Sequence, residues 1–239
     1  MSCPVCLSNC GVNIGSKNGY ELVSCGKCGL VFVDPAPEVA QIEALYDGFQ
    51  KTGAYLRKLK KKEFTSVLKL ARLRRYLTAD RSTFLDVGCS VGATVGAARR
   101  LGYQATGIDL DRNALEHATR LFPDCEFLPM TSIELARQGR QFGLVYCAEV
   151  IEHVADPHEF LSSLIPLLKP QSILYLTTPD AAHRTVPRDF LSWKRVTPPE
   201  HIRYYARKSM TRLLESHGIE VVKFLWSHRS ALRVIGRKA

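Results

Sequence analysis

The sequence predicts an α/β fold: a Rossmann-like sheet of seven strands, the last antiparallel, with a small cysteine-rich ribbon ahead of it. Three observations predict it. From Ser82 onward short apolar runs alternate with amphipathic segments, the pattern of a parallel sheet with right-handed crossovers. A strand at 83–88 runs through an acid into a glycine turn, and a second strand ends about twenty residues later on Asp109. Two Cys-x-x-Cys pairs stand within the first 28 residues.

A chain of 239 residues suits one domain with a small appendage. Hydrophobic content of 46% and charged content of 23% are those of a globular protein in water. No apolar run approaches the roughly 18 residues a membrane span needs. The start, Met1-Ser-Cys-Pro, lacks a charged segment followed by an apolar one, so no signal peptide is expected and a cytoplasmic location is the default. The formal net charge of +10 favours anionic partners, whether nucleic acid, acidic small molecules or an anionic lipid surface.

The first unit is residues 1–33. Cys3-Pro-Val-Cys6 and Cys25-Gly-Lys-Cys28 are two knuckles separated by 18 residues, the spacing of a zinc site. Each supplies two thiolates from one tight turn, eased by Gly26 and Gly29. Four thiolates complete the tetrahedron and leave no position for a reacting water, so Zn2+ there is expected to be structural. Cys10 lies outside both pairs and is a spare. Runs at 20–24 and 30–33 read as the ribbon's strands.

Residues 34–81 form a helical link. Asp34-Pro-Ala-Pro37 is rigid, 37–46 reads as a short helix, and 54–77 as a longer one. In the longer helix Leu56, Leu59, Glu63/Phe64, Val67, Leu70/Ala71, Arg74 and Leu77 fall at helical spacing, most of those positions apolar. Its other face carries Arg57, Lys58, Lys60, Lys61, Lys62, Lys69, Arg72 and Arg75, a basic stripe open to solvent or to nucleic acid.

Residues 82–239 form the main domain. Strands are expected at 83–88, 104–109, 125–129, 142–148, 172–178, 219–226 and 231–237. Helices are expected at 92–101, 111–121, 131–138, 157–168 and 206–217. Only four residues separate the last two strands, so they must pair as an antiparallel hairpin. Residues 179–205 are a long insertion, and long loops in compact domains are usually functional.

The glycine turn narrows the chemistry. Gly88 and Gly92 let the backbone turn sharply and approach a ligand closely. Asp109, at the end of the second strand, suits the two hydroxyls of a ribose. Asp86 adds a negative charge that disfavours a pyrophosphate and favours a cation. Gly88-Cys-Ser-Val-Gly92 also matches a nucleophile elbow, with Asp156 or Asp180 and His183 or His201 to complete a triad. An elbow leaves Asp109 without a role and normally follows several strands of its sheet. A nicotinamide enzyme is disfavoured by the acid and by Ser90, which stands where a middle glycine is usual.

These residues resemble class I S-adenosylmethionine-dependent methyltransferases. Phe84-Leu-Asp-Val-Gly-Cys-Ser-Val-Gly92 resembles their first motif and Gly107-Ile-Asp109 their acidic second motif. Cys147-Ala-Glu-Val-Ile-Glu-His-Val-Ala-Asp-Pro157 is similar to their fourth-strand segment, and Leu168-Lys-Pro-Gln-Ser-Ile-Leu-Tyr-Leu-Thr-Thr-Pro179 to their fifth. The whole chain is similar to a bacterial group that carries a zinc ribbon before the methyltransferase domain. Ser90 and Gln171-Ser172 depart from the usual glycines.

The resemblance implies a cofactor, S-adenosyl-L-methionine, and a set of residues for it. Gly88, Cys89, Ser90 and Gly92 would line the methionine moiety, and Asp86 would orient its amino group. Asp109 would hold the ribose, with Leu110, Met130, Thr131 and Ser132 around the adenine. Ala148 would close the pocket with Glu149.

Methyl transfer needs alignment and exclusion of water, and a hydroxyl acceptor benefits from a base. His153, after the fourth strand, and His201, in Pro198-Pro-Glu-His-Ile-Arg-Tyr-Tyr205, are the candidates, with Glu149 and Glu152 as base or pocket electrostatics. The arginines and aromatic residues of 179–205 suit an anionic or planar small-molecule acceptor such as a sugar, a lipid-linked intermediate or a secondary metabolite. The alternative acceptor is RNA, met by the ribbon and the basic helix.

Overall fold

The computed structural model describes residues 1–38, 41, 52–78 and 80–238. The expected short helix at 37–46 lies largely outside them. In chain order the strands are β1 (Gly11–Lys17), β2 (Tyr20–Cys25), β3 (Val31–Val33), β4 (Thr83–Val87), β5 (Gln104–Ile108), β6 (Glu126–Leu128), β7 (Phe142–Ala148), β8 (Leu168–Pro179), β9 (Arg203–Tyr204), β10 (Ile219–Phe224) and β11 (Ala231–Lys238). The α-helices are α1 (Thr52–Leu73), α2 (Ala93–Arg100), α3 (Arg112–Leu121), α4 (Ser132–Arg137), α5 (Pro157–Leu164) and α6 (Arg207–Glu215).

Among the described residues the strands form two sheets: a four-stranded one in the order β1-β2-β3-β9 and a seven-stranded one in the order β10-β11-β8-β7-β4-β5-β6. The second is the expected mixed Rossmann-like sheet. Pairing of β4 with β5 and β7, and of β5 with β6, is parallel, with Asp86 level with both Gly107 and Tyr146.

The chain divides into two compact units. One comprises Asp47–Cys147, Ser163–Tyr175 and Arg237–Ala239. Its centre is aromatic: Phe84 lies 5.9 Å from Tyr103 and 6.1 Å from Tyr146, and Tyr146 stacks on Tyr175 at 5.0 Å. Helix α1 packs on α2, and Glu63, nearly buried, meets the Arg100 guanidinium at 2.8 Å. The basic stripe needs correction. Lys69 turns inward and donates to the Tyr146 hydroxyl at 2.7 Å, whereas Phe64 and Leu68 are exposed. Period alone misplaced Lys69 and Phe64 because the inward face of α1 admits charges that find partners.

The other unit comprises Met1–Tyr46, Ala148–Ser162 and Leu176–Gly236. Here the ribbon and the 179–205 insertion are one structure. Strand β9 pairs antiparallel with β3, Val31 opposite Tyr204 and Phe32 opposite Arg203. Leu22, Val31 and Val33 from the ribbon share an apolar core with Trp193, Val196, Ile202 and Tyr204 from the insertion. Asn18 donates to the Pro198 carbonyl at 2.9 Å, and the Lys17 ammonium bonds the Leu191 carbonyl. Neither β1 nor β9 is expected from the sequence: β1 carries Gly and Asn with little apolar alternation, and two residues make a strand only when a partner edge is present.

Boundaries shift for local reasons. Helix α5 ends at Leu164 because Pro166 follows. Strand β8 starts at Leu168, earlier than expected.

Candidate active site

The glycine turn after β4 is held from below by β5. The N–H groups of Gly88 and Cys89 both donate to the Ile108 carbonyl, at 2.9 and 3.0 Å. Three alternate residues take left-handed backbone: Gly88 at φ 76°, Ser90 at φ 50° and Gly92 at φ 75°. A Cβ at Gly92 would meet the Phe127 ring at 2.7 Å, so both dihedral and space demand glycine there. Ser90, a departure from the expected pattern, keeps the turn at the cost of a left-handed serine.

Asp109 is tied into the turn. Its Oδ2 accepts the Ser90 N–H at 2.7 Å and its Oδ1 accepts the Asp111 N–H at 3.0 Å. Each oxygen keeps further lone-pair capacity, so a diol can still be accepted. Burial raises the Asp109 pKa against these hydrogen bonds. Asp86 is 4% exposed. Burial pushes it up to about 7; Lys62 and Lys69 oppose that rise and the Asp109 charge adds to it. The two lysines are electrostatic neighbours of Asp86 that periodicity assigned to the outer face. The donor set fits a cationic nucleoside: a pinned carboxylate for a ribose, a buried carboxyl for an ammonium and a glycine-bearing turn between them.

The remaining residues expected at the adenine are differently engaged. Leu110 is exposed. Thr131 caps α4, its hydroxyl accepting the Glu134 N–H at 3.2 Å, and Ser132 shares a 2.5 Å hydrogen bond with Ser163. Met130 Sδ accepts from Gln138 Nε2 at 3.7 Å. Backbone and apolar surface, rather than these hydroxyls, are what this segment offers a ring.

In the other unit, Ala148 ends β7 and Glu149 takes φ 58°, a left-handed conformation for a non-glycine residue. The Glu149 N–H donates to the Thr177 carbonyl at 2.8 Å, Thr177 Oγ1 donates back to its carboxylate at 3.2 Å, and Arg195 stands 3.9 Å from its other oxygen. The turn Ile151–His153 follows. Glu152 is fully buried and neither carboxylate oxygen has a hydrogen-bond partner of ordinary geometry. Burial and the Glu149 charge push it up to about 8, the Thr178 hydroxyl offsetting little of the rise.

His153 and His201, 48 residues apart in the sequence, come together with ring centroids 4.8 Å apart in a T-shape. The His153 Nδ1 is 2.6 Å from the Glu200 carbonyl and the His201 Nδ1 is 2.9 Å from the Arg195 carbonyl. A carbonyl only accepts, so each ring donates its Nδ1 proton there. Burial, with the neighbouring His153, holds His201 down at about 4. Glu152 is the member of this group that the histidine-centred reading left secondary; its place immediately before His153 was the available signal.

The four cysteines of the ribbon converge, with their sulfurs within 4.8 Å of one another. Cys3 and Cys28 are 3.5 Å apart, as are Cys6 and Cys25. Zinc with Zn–S of about 2.3 Å sets tetrahedral sulfurs about 3.8 Å apart, so the set fits that ion. The Cys3–Cys28 hydrogen bond draws Cys3 down to about 5 and pushes Cys28 up. Cys10 is exposed, with its sulfur 3.6 Å from that of Cys25.

Comparison with known proteins shows the family. The sequence profile described as "Methyltransferase domain" matches residues 55–223. The chain therefore belongs to the methyltransferase domain family, and its sheet order and glycine turn are those of the class I S-adenosylmethionine-dependent enzymes. It is 34% identical over 142 residues to a ubiquinone biosynthesis O-methyltransferase of Caulobacter vibrioides, covering 52% of this chain and 56% of that one. A ubiquinone biosynthesis O-methyltransferase of Bartonella tribocorum is 24% identical over 158 residues, covering 59% of this chain and 64% of that one. The chain thus spans less than two thirds of the length of these relatives.

Among solved structures, the fold is similar to 1,6-didemethyltoxoflavin-N1-methyltransferase of Burkholderia thailandensis, solved with S-adenosylhomocysteine. The TM-score is 0.65 at 14% identity, over 93% of this chain and 97% of that one. It is also similar to magnesium protoporphyrin IX methyltransferase of Synechocystis, solved with S-adenosylmethionine. That TM-score is 0.59 at 14% identity, over 86% of this chain and all of that one. Among the described residues no helix is long and apolar enough to cross a membrane.

Proposed function

We propose that this enzyme transfers the methyl group of S-adenosylmethionine to a hydroxyl oxygen of a planar or anionic small molecule. The observation that carries the reading is the pair of oriented imidazoles, His153 and His201, beside Glu149 and the buried Glu152. Such a group receives a hydroxyl and its proton, and the relatives in ubiquinone biosynthesis are named as O-methyltransferases.

S-adenosylmethionine supplies an electrophilic methyl on a sulfonium. Asp109, held by the Ser90 and Asp111 N–H groups, binds the ribose hydroxyls with its remaining lone pairs. Asp86 would meet the amino group as a carboxylate, and the Gly88–Gly92 turn would hold the methionine moiety. Leu110 and Met130, with the backbone of Thr131 and Ser132, would give the adenine its surface. His153 or Glu149 would receive the proton that the acceptor hydroxyl gives up on methylation. His201, held neutral, accepts a hydrogen bond that orients the hydroxyl. Zn2+ on Cys3, Cys6, Cys25 and Cys28 is structural: it fixes the ribbon sheet that β9 joins.

The test is transfer of labelled methyl from S-adenosylmethionine to a panel of catechols, hydroxylated lipids, sugars and total RNA. Labelling of a hydroxylated small molecule, lost in His153→Ala, supports the reading. Labelling confined to RNA overturns it.

A further inference from the structure

We propose that the cleft between the start of the 179–205 insertion, the start of α6 and the turn joining β10 to β11 binds a phosphate-bearing ligand with a planar ring, of the nucleotide class. The cleft has a volume of about 420 Å³, within the roughly 300–1,000 Å³ of small-molecule sites. Arg184, Arg207, Lys208 and Arg233 line it, with the Trp226 indole among them. All of these residues belong to one compact unit.

Three features point to that ligand. The first is charge. The four cations share the cleft with one acid, Asp180, and one oxygen of that acid accepts the Ala182 N–H at 3.0 Å. Among the described residues none of the four cations has a carboxylate partner. Like charges gathered in one cleft repel, and an anion relieves them. Guanidinium groups match the paired oxygens of a phosphate.

The second feature is the start of α6. A helix N-terminus is its positive end, yet α6 opens on Arg207 and Lys208 with no acid in its first turn. Ala206, ahead of it, makes no side-chain cap for the first N–H groups. An anion in the cleft answers both.

The third feature is an aromatic wall. Trp226 is 64% exposed, with the His228 ring edge-on to it at 3.7 Å. The Arg207 guanidinium lies over the Phe224 ring at 5.4 Å, which steadies it at the cleft. An open indole beside cations suits a planar ring joined to phosphates.

The walls are tied together before any ligand arrives. The Asp180 N–H donates to the Ser230 carbonyl at 3.1 Å, and His183 Nε2 donates to the Ser227 carbonyl at 3.3 Å. A site already ordered loses less on binding. The ligand's role rests on the methyl-transfer reading above: it is the acceptor, anchored by its phosphates. Asp180 follows β8 by one residue, and Thr177, three residues earlier, holds Glu149. Three strand residues span about 10 Å, so the anchored phosphates and the methylated hydroxyl lie on the order of 10 Å apart.

The experiment is calorimetry of the zinc-loaded, full-length protein with UDP and ADP, and with uridine and inorganic pyrophosphate as the separate halves. At least one nucleotide should bind below about 1 mM, about tenfold more tightly than uridine and about fivefold more tightly than pyrophosphate. Arg184→Ala and Arg233→Ala should each weaken it by about fivefold or more. The bound ring should also quench Trp226 emission, since the other tryptophan, Trp193, is buried. Trp226→Phe should keep the binding and lose the quench. Absence of binding by both nucleotides at several millimolar, uridine as tight as either nucleotide, or equal binding by wild type and the arginine variants overturns the site. Pyrophosphate as tight as either nucleotide overturns the planar ring. Binding of a single-stranded RNA oligomer without either mononucleotide overturns the ligand class. Should a variant fail to fold, the wild type decides: quenching by a nucleotide at concentrations where uridine gives none supports the site, and no quenching overturns it. None of these readouts depends on methyl transfer. Methyl transfer at the wild-type rate by the double arginine variant overturns the ligand's role as acceptor without touching the site.

Discussion

The carboxylate of Asp109 accepts the backbone N–H of Ser90 at 2.7 Å. Asp109 thereby closes the glycine turn against β5, and in the proposed function its remaining lone pairs would hold a ribose. Removing it must damage both. Asp109→Ala should weaken S-adenosylmethionine binding by at least tenfold in calorimetry, and Asp109→Asn should lose less because Oδ1 still accepts. Unchanged affinity in Asp109→Ala would remove Asp109 from the cofactor site.

Ser90 and Gly92 share a left-handed backbone but differ in space. For serine that conformation costs about 1 kcal/mol, so Ser90→Gly should raise stability by a few tenths to about 1 kcal/mol in urea denaturation. It should leave cofactor affinity unaltered. Gly92→Ala meets both φ 75° and the Phe127 ring at 2.7 Å, and should lower stability by about 2–3 kcal/mol. A neutral Gly92→Ala would mean that Phe127 withdraws freely.

Asp86 gives stability a dependence on pH. Its folded carboxyl titrates at about 7 because burial disfavours the charge, against about 3.9 unfolded. Between those values the folded chain keeps a proton that the unfolded chain has released. The contribution is fully present below about pH 4 and is lost as pH rises through 7, with an upper bound of about 4 kcal/mol. Asp86→Asn should flatten the denaturation midpoint between pH 5 and 8. A cationic ligand should also displace the Asp86 proton, so calorimetry near pH 6 should give buffer-dependent heats. Buffer-independent heats would argue against contact between Asp86 and the ligand.

Zinc content should approach one per chain by elemental analysis, and Cys28→Ser should abolish it. Because β9 pairs with β3 and Trp193 and Tyr204 pack on Leu22 and Val33, the loss should reach the insertion. Tryptophan emission from Trp193 should shift to the red as the ribbon loosens. An unshifted spectrum in the zinc-free variant would show that the apolar core holds the sheet without metal.

How far the chain could be read in advance depended on how local each signal is. The alternation of strands and helices after Ser82, the turn from Asp86 to Gly92, the acid at Asp109 and the two cysteine knuckles are written in neighbouring residues. Periodicity and turn chemistry act over a few positions, and that suffices for the sheet, the cofactor end of its strands and the thiolate cluster. The tertiary structure alone decided the rest. The two residues of β9 become a strand because β3 offers an edge 170 residues away in sequence. Lys69 leaves the basic face because Tyr146 gives it a buried partner. Glu152, His153 and His201 become one cluster because the β9 pairing carries the insertion back beside the turn after β7, where the Ile202 N–H bonds the Glu152 carbonyl at 2.9 Å. Such contacts depend on chain closure between distant segments, and no local pattern of residues encodes them.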